Sequence, residues 1–171
     1  MNIYFAVAFD LSRDSCGVVG VGPGTARACL EASLLARDDR QGVFVATAGT
    51  AQEKWDSVHM AFYMKQYVTR ILPPEKIITG HGLTFNTDGE MRELARIAGD
   101  NNAKNIWIIV KWWHAPRSWM LARYYLSKKG VTVCLKLKLH RIDVGWKCIL
   151  KEFFISIPKT LFRMLKQEVF S

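Results

Sequence analysis

His114 and Arg117 are the pair in this 171-residue chain best placed to do chemistry. They follow the apolar run Asn105-Ile106-Trp107-Ile108-Ile109-Val110, which is rich and long enough for a buried strand. Ala115-Pro116, between them, reads as a helix start with proline at the first helical position. The spacing thus puts a histidine just before a helix N-terminus and a guanidinium in its first turn. Exposed N–H groups there already carry partial positive charge, so a fixed cation costs stability unless an anion lies nearby. This points to an anion or polar-ligand site at the carboxyl end of a strand. His114 could serve as general acid or base, because imidazole titrates near neutrality; a packed or capping histidine is an equal alternative. Arg117 could clamp a phosphate or carboxylate bidentately, or pair with an internal acid such as Glu90 or Asp10.

Other strand ends supply partners. Thr50-Ala51-Gln52-Glu53 and Thr87-Asp88-Gly89-Glu90 both fit the S/T-x-x-E capping box, each soon after a strand-like run. Gly49 would let backbone approach a ligand, and Thr50 would aim its helix's N–H groups at it. The Asn86 amide can donate and accept. Asp10 could hold a hydroxyl or amine, or simply end the first strand. The candidates are therefore His114 and Glu90 for proton transfer, with Asp10, Gly49, Thr50, Asn86, Thr87 and Arg117 for binding. The glycine-rich stretch from Gly17 to Gly24 does not match G-x-G-x-x-G and begins too far after the first strand; a plain loop is expected there, with a flexible lid over the site as the alternative. The chain has no P-loop, H-E-x-x-H or G-x-S-x-G, which removes the commonest NTPase, zinc-protease and serine-hydrolase patterns.

Alternating elements must carry these residues. Ile3–Phe9, Val43–Thr47, Lys76–Thr79, Ile106–Lys111 and Val131–Leu139 read as strands. Thr25–Ala36, Ala51–Ile71, Asp88–Ala98 and Pro116–Lys128 read as helices. Strands separated by helices of this length imply right-handed βαβ units, and hence a parallel sheet covered on both faces. The predicted architecture is a three-layer, Rossmann-like α/β domain whose five parallel strands run in the order 3-2-1-4-5. The order would then reverse between the first and fourth strands, setting Asp10 opposite His114 across the ligand crevice. Residues 1–171 read as one domain, with 146–171 as closing helices broken near Pro158.

Composition narrows the class. Half of the residues are apolar and 12% aromatic, which excludes disorder, and no run approaches a membrane span. The apolar opening from Met1 to Phe9 has no basic residues ahead of it and stops at Asp10, so it reads as a strand in a cytoplasmic protein and not as a signal peptide. Cys16, Cys29, Cys134 and Cys148 form no C-x-x-C; reduced thiols and no metal are expected. Charge is uneven. Residues 1–100 carry ten Lys/Arg against twelve Asp/Glu, and residues 101–171 carry fourteen against three, a net +11. Such a surface could attract anionic lipid, nucleic acid or a phosphorylated ligand. A plain solvated basic surface is the favoured alternative, since no nucleic-acid motif accompanies the charge. Phe153, Phe154, Ile157, Leu161, Phe162 and Leu165 form an apolar stripe beside Lys151, Lys159, Arg163 and Lys166. Packing of that stripe on the sheet is the expectation; a membrane-surface or partner-binding module is the alternative.

From about residue 3 to residue 135 the chain resembles the domain of unknown function shared by the SanA, ElyC and YdcF proteins. The resemblance rests on Thr47-Ala48-Gly49, on Asn86-Thr87-Asp88-Gly89-Glu90, and on Val110 through His114-Ala115-Pro116-Arg117, with Arg27 opening the first helix. The chain departs from the family at Phe9-Asp10, where glycines are usual, at Thr50, where a second glycine is common, and in the bulk of Lys111-Trp112-Trp113. Lacking the membrane anchor of the SanA and ElyC branch, it is most similar to the soluble YdcF type. That likeness implies binding of a polar, anionic or nucleotide-like molecule, with S-adenosylmethionine as the associated cofactor. The reaction stays open between hydrolase and transferase. For the alternative module, the resemblance implies a role in envelope metabolism.

Overall fold

Strand β1 (Asn2–Ala6) is apolar on both faces, and Ile3, Phe5 and Ala6 are fully buried. A strand without a polar face must lie inside a sheet covered on two sides. In the computed structural model of the protein, β1 pairs in parallel with β4 (Gly42–Ala46) and with β6 (Asn105–Lys111). The residues described are 1–7, 11–13, 15–16, 19–47, 60–80, 86–127, 130–138 and 146–169. With β5 (Ile77–Thr79) beside β4 and β7 (Thr132–Lys138) beside β6, the sheet is five-stranded and all-parallel, in the order β5-β4-β1-β6-β7. This is an α/β fold.

Alternate strand residues feed two cores. Ile3, Phe5, Ile106 and Ile108 pack with Met91 and Leu94 of α3 (Thr87–Asp100) and with Leu121 and Ala122 of α4 (Ala115–Ser127). Tyr4, Ala6, Phe44 and Ile109 pack with Cys29 and Ala32 of α1 (Pro23–Asp38) and with Met64 and Val68 of α2 (Met60–Val68). The amino-terminal edge of the sheet is tied by Asp39. Its Oδ2 accepts from the Asn2 amide at 2.7 Å and from the Tyr4 hydroxyl at 3.0 Å, and its Oδ1 accepts from the Gln41 N–H at 2.9 Å.

Three expectations are corrected. The glycine-rich stretch is not a plain loop: β3 (Val19–Val21) pairs antiparallel with β2 (Leu11–Arg13), and α1 begins at Pro23. The capping-box reading of Thr87 and Glu90 also fails. Asn86 caps α3, its Oδ1 accepting from the Gly89 N–H at 3.0 Å, and Glu90 is buried. Asparagine is at least as good a cap as threonine, so the start moves back by one residue.

The third concerns the carboxyl-terminal segment. Helix α5 (Trp146–Lys151) continues through a π-helical turn, Glu152–Ser156, into α6 (Ile157–Val169) without a break at Pro158. An α-helix would set the ring of Pro158 against the Phe154 carbonyl, four residues back; the wider π turn falls just there and absorbs it. The apolar stripe does not pack on the sheet: Phe154 is 74% and Phe162 69% exposed, and Phe153, Leu161 and Leu165 also face outward. Contact with the body runs instead through Glu152 and Thr160, both buried, with α6 against α4.

Candidate functional site

The carboxyl end of β6 leads into a 3₁₀ turn, Trp112–His114, and then directly into α4. The turn keeps the chain tight enough to bury the His114 ring, which is 8% exposed. Its Nε2 lies 3.0 Å from the hydroxyl of Thr87, the first residue of α3. Its Nδ1 lies 2.9 Å from Oε1 of Glu152, in the π turn. Strand β6 and helix α3 are thus brought together at one point with the carboxyl-terminal helical run. The ring thus presents Nδ1 to a carboxylate and Nε2 to a hydroxyl, and the donor and acceptor roles follow its tautomer. A carboxylate orienting a histidine that faces a hydroxyl is an arrangement able to move a proton.

Arg117 lies one turn into α4. Its Nη1 is 3.7 Å from Oε2 of Glu152, so the anion that a first-turn cation calls for is an internal carboxylate. The contact is made by Glu152 and not by Glu90, while Asp10 lies outside the described residues. Burial pushes Glu152 up, but the hydrogen bond and charge of His114 and the charge of Arg117 outweigh it, and the carboxyl stays below its usual range. Glu90 behaves oppositely. Its burial, only partly offset by the Arg117 charge, pushes its pKa up to about 7. The site therefore holds two carboxyls whose environments drive them apart, one suited to hold charge and the other to exchange a proton near neutrality.

Polar capacity is left over here. The Nε of Arg117 and the hydroxyl of Ser118, adjacent in the first turn of α4, are buried without a hydrogen-bond partner among the described residues. At the end of β4 the Thr47 hydroxyl is in the same condition. Beside Arg117 opens a cavity of about 500 Å³ between α3, α4 and α6. Four cations line it, Arg92, Arg117, Arg163 and Lys166, together with Asp88, Tyr125 and Thr160. Asp88 is engaged by Arg92 at 3.2 Å and by the Tyr125 hydroxyl at 2.9 Å, which leaves the wall predominantly basic. Among the described residues, no group of three or more His, Cys, Asp or Glu is placed to hold a metal ion.

Of the residues singled out from sequence, His114, Thr87, Glu90 and Arg117 meet at this edge. Asn86 is next to them but gives its carbonyl to the helix cap. Asp10, Gly49 and Thr50 lie outside the described residues. Sequence reasoning missed Glu152 and Ser118. Glu152 has a signal in retrospect, as one of only three acidic residues after position 100; Ser118 has none beyond following Arg117. Comparison of the chain with protein-family models, with curated proteins and with solved structures finds no match.

Proposed function

We propose that the protein binds a small polar anion, phosphorylated or nucleotide-like, at the β6–α4 junction, where Arg117 and the helix N–H groups hold the charge and His114 and Glu90 handle a proton. We read the architecture as a three-layer, Rossmann-like domain, in which a site at the carboxyl ends of the strands is the usual place for such a ligand. One observation carries the reading: Arg117, whose Nε is buried without a hydrogen-bond partner among the described residues, lines a basic cavity. Buried polar groups in a folded protein find partners, and a bound anion would supply an acceptor for the guanidinium. The resemblance to the YdcF type makes S-adenosylmethionine the first nucleotide-like ligand to try, and a cytoplasmic setting belongs to the same reading.

Isothermal titration with inorganic phosphate, nucleotides and S-adenosylmethionine tests this. At least one should bind, and Arg117→Ala should weaken that binding by roughly ten- to a hundredfold, the worth of one or two charged hydrogen bonds. His114→Ala should weaken it less while abolishing any turnover. Unchanged binding in both variants would falsify the site.

A further inference from the structure

We propose that the α5–α6 run is an in-plane membrane helix that seats the protein on an anionic lipid bilayer. The run is helical from 146 to 169; within it Glu152 and Thr160 are buried, and Met164 lines the cavity. Its remaining surface is not that of a solvated closing helix. Trp146, Leu150 and Phe154 follow one another at four-residue spacing, as do Leu161 and Leu165, and all five are exposed, Trp146 to 65% and Leu165 to 61%. Ile155 and Phe162 widen the stripe, at 58% and 69%. Side chains three or four apart share a helix face, so this is a contiguous apolar strip of the kind that surfaces keep for a partner.

Charge identifies the partner. Lys147 and Lys151, four apart, and then Lys159, Arg163 and Lys166 are exposed along the same run, against two acids, Glu168 near its end and Glu152, which is turned inward to His114 and Arg117. An apolar strip with large aromatic residues, flanked by cations, is the pattern of a helix lying at the lipid interface. Each ammonium or guanidinium close to the surface adds attraction to anionic headgroups. A second copy of the chain is disfavoured, since it would bring one cationic flank against another. The helix lies on the surface and does not cross: no helix among the described residues is long and apolar enough to span a bilayer.

The test is co-sedimentation of the full chain with vesicles of pure phosphatidylcholine and of phosphatidylcholine with about one-third phosphatidylserine, a strongly anionic surface. Binding should occur on the anionic vesicles, fall as salt screens the headgroups, and be at least tenfold weaker on neutral ones. Phe154→Asp with Phe162→Asp should abolish it. Lys147→Glu, Lys151→Glu and Lys159→Glu together should weaken it on the order of tenfold or more. These positions are exposed and outside the anion site, so thermal unfolding and phosphate titration should match the wild type; failure here is thereby distinguishable from failure of the anion site. Absent binding, or equal binding to both vesicle types, overturns the proposal. So does a dimer in sedimentation velocity that the two aspartates dissolve while the wild type ignores vesicles.

Discussion

Glu90 and Glu152 sit a few side chains apart and respond to burial in opposite ways. The difference is the number of cationic neighbours: Glu152 has both His114 and Arg117, whereas Glu90 has the charge of Arg117 against nearly complete desolvation. Stability follows from each shift through linkage. Glu90, with a folded pKa of about 7 against an ordinary 4.5, binds a proton in the folded state that the unfolded chain has lost. Its burial therefore costs nothing below about pH 4.5, a growing amount as pH rises to 7, and the full penalty above. Glu90→Gln should remove this slope and stabilise the protein at pH 8 by up to about 3 kcal/mol, the equivalent of the shift. Urea unfolding of both proteins from pH 5 to 8 checks it, and parallel stability curves would refute it. Glu152 has the reverse sign: its contribution is present above the unfolded pKa and is lost as pH falls through the lowered folded one. Because its negative charge at Arg117 Nη1 competes with an external anion for the same guanidinium, Glu152→Gln should tighten phosphate binding. Equal or weaker affinity in titration would mean that it does not compete.

How much of this could be read from residues alone depends on distance along the chain. His114, Arg117, Thr87 and Glu90 are each tied to the end of a strand, and the βαβ pattern sends all such ends to one edge of the sheet. Their meeting was therefore readable. Glu152 was not, because it comes from a helix that follows the last strand, and nothing in local periodicity says where that helix docks. Its own neighbours, Phe153 and Phe154, suggest a core-facing stripe that the structure turns to solvent.

Element boundaries repeat the lesson. Long apolar runs such as Ile106–Val110 identify themselves, and the alternation of strands with amphipathic helices gives the parallel sheet. The β2–β3 hairpin escapes, since three-residue strands rich in glycine carry no period to detect. Tight connections between elements are more sensitive to single atoms than the elements are. Between α1 and β4, a Cβ on Gly42 would lie 2.8 Å from the Ala36 carbonyl oxygen and 2.9 Å from the Asp39 Cβ. Lys76 Nζ donates to that same carbonyl at 2.9 Å and to the Asp39 carbonyl at 2.8 Å, which fixes the turn from the other side. The backbone has little freedom to yield. Gly42→Ala should destabilise the fold by about 1–3 kcal/mol through overpacking, read as a lower urea midpoint. A wild-type midpoint would show that the turn relaxes.

At the scale of the whole molecule, residues 101–171 carry a net +11. Part of it, Arg117, Arg163 and Lys166, lines the cavity with Arg92, and Lys147, Lys151 and Lys159 lie exposed along the carboxyl-terminal run. Like charges gathered this closely repel one another, so a bound anion should stabilise the fold beyond its local hydrogen bonds. By mass action a ligand at a hundredfold excess over its Kd adds about 2.7 kcal/mol. For a chain of this size that corresponds to a Tm rise of roughly 5–10 °C. Phosphate also stabilises proteins in general, by being excluded from their surfaces, and that effect would raise Tm whether or not a site exists. The two causes separate in Arg117→Ala, which keeps the surface and loses the central cation. Thermal unfolding in phosphate and in chloride at equal ionic strength should therefore give a larger phosphate increment for the wild type than for the variant. Equal increments would assign the whole effect to solvent exclusion and leave the buried Nε of Arg117 without a ligand.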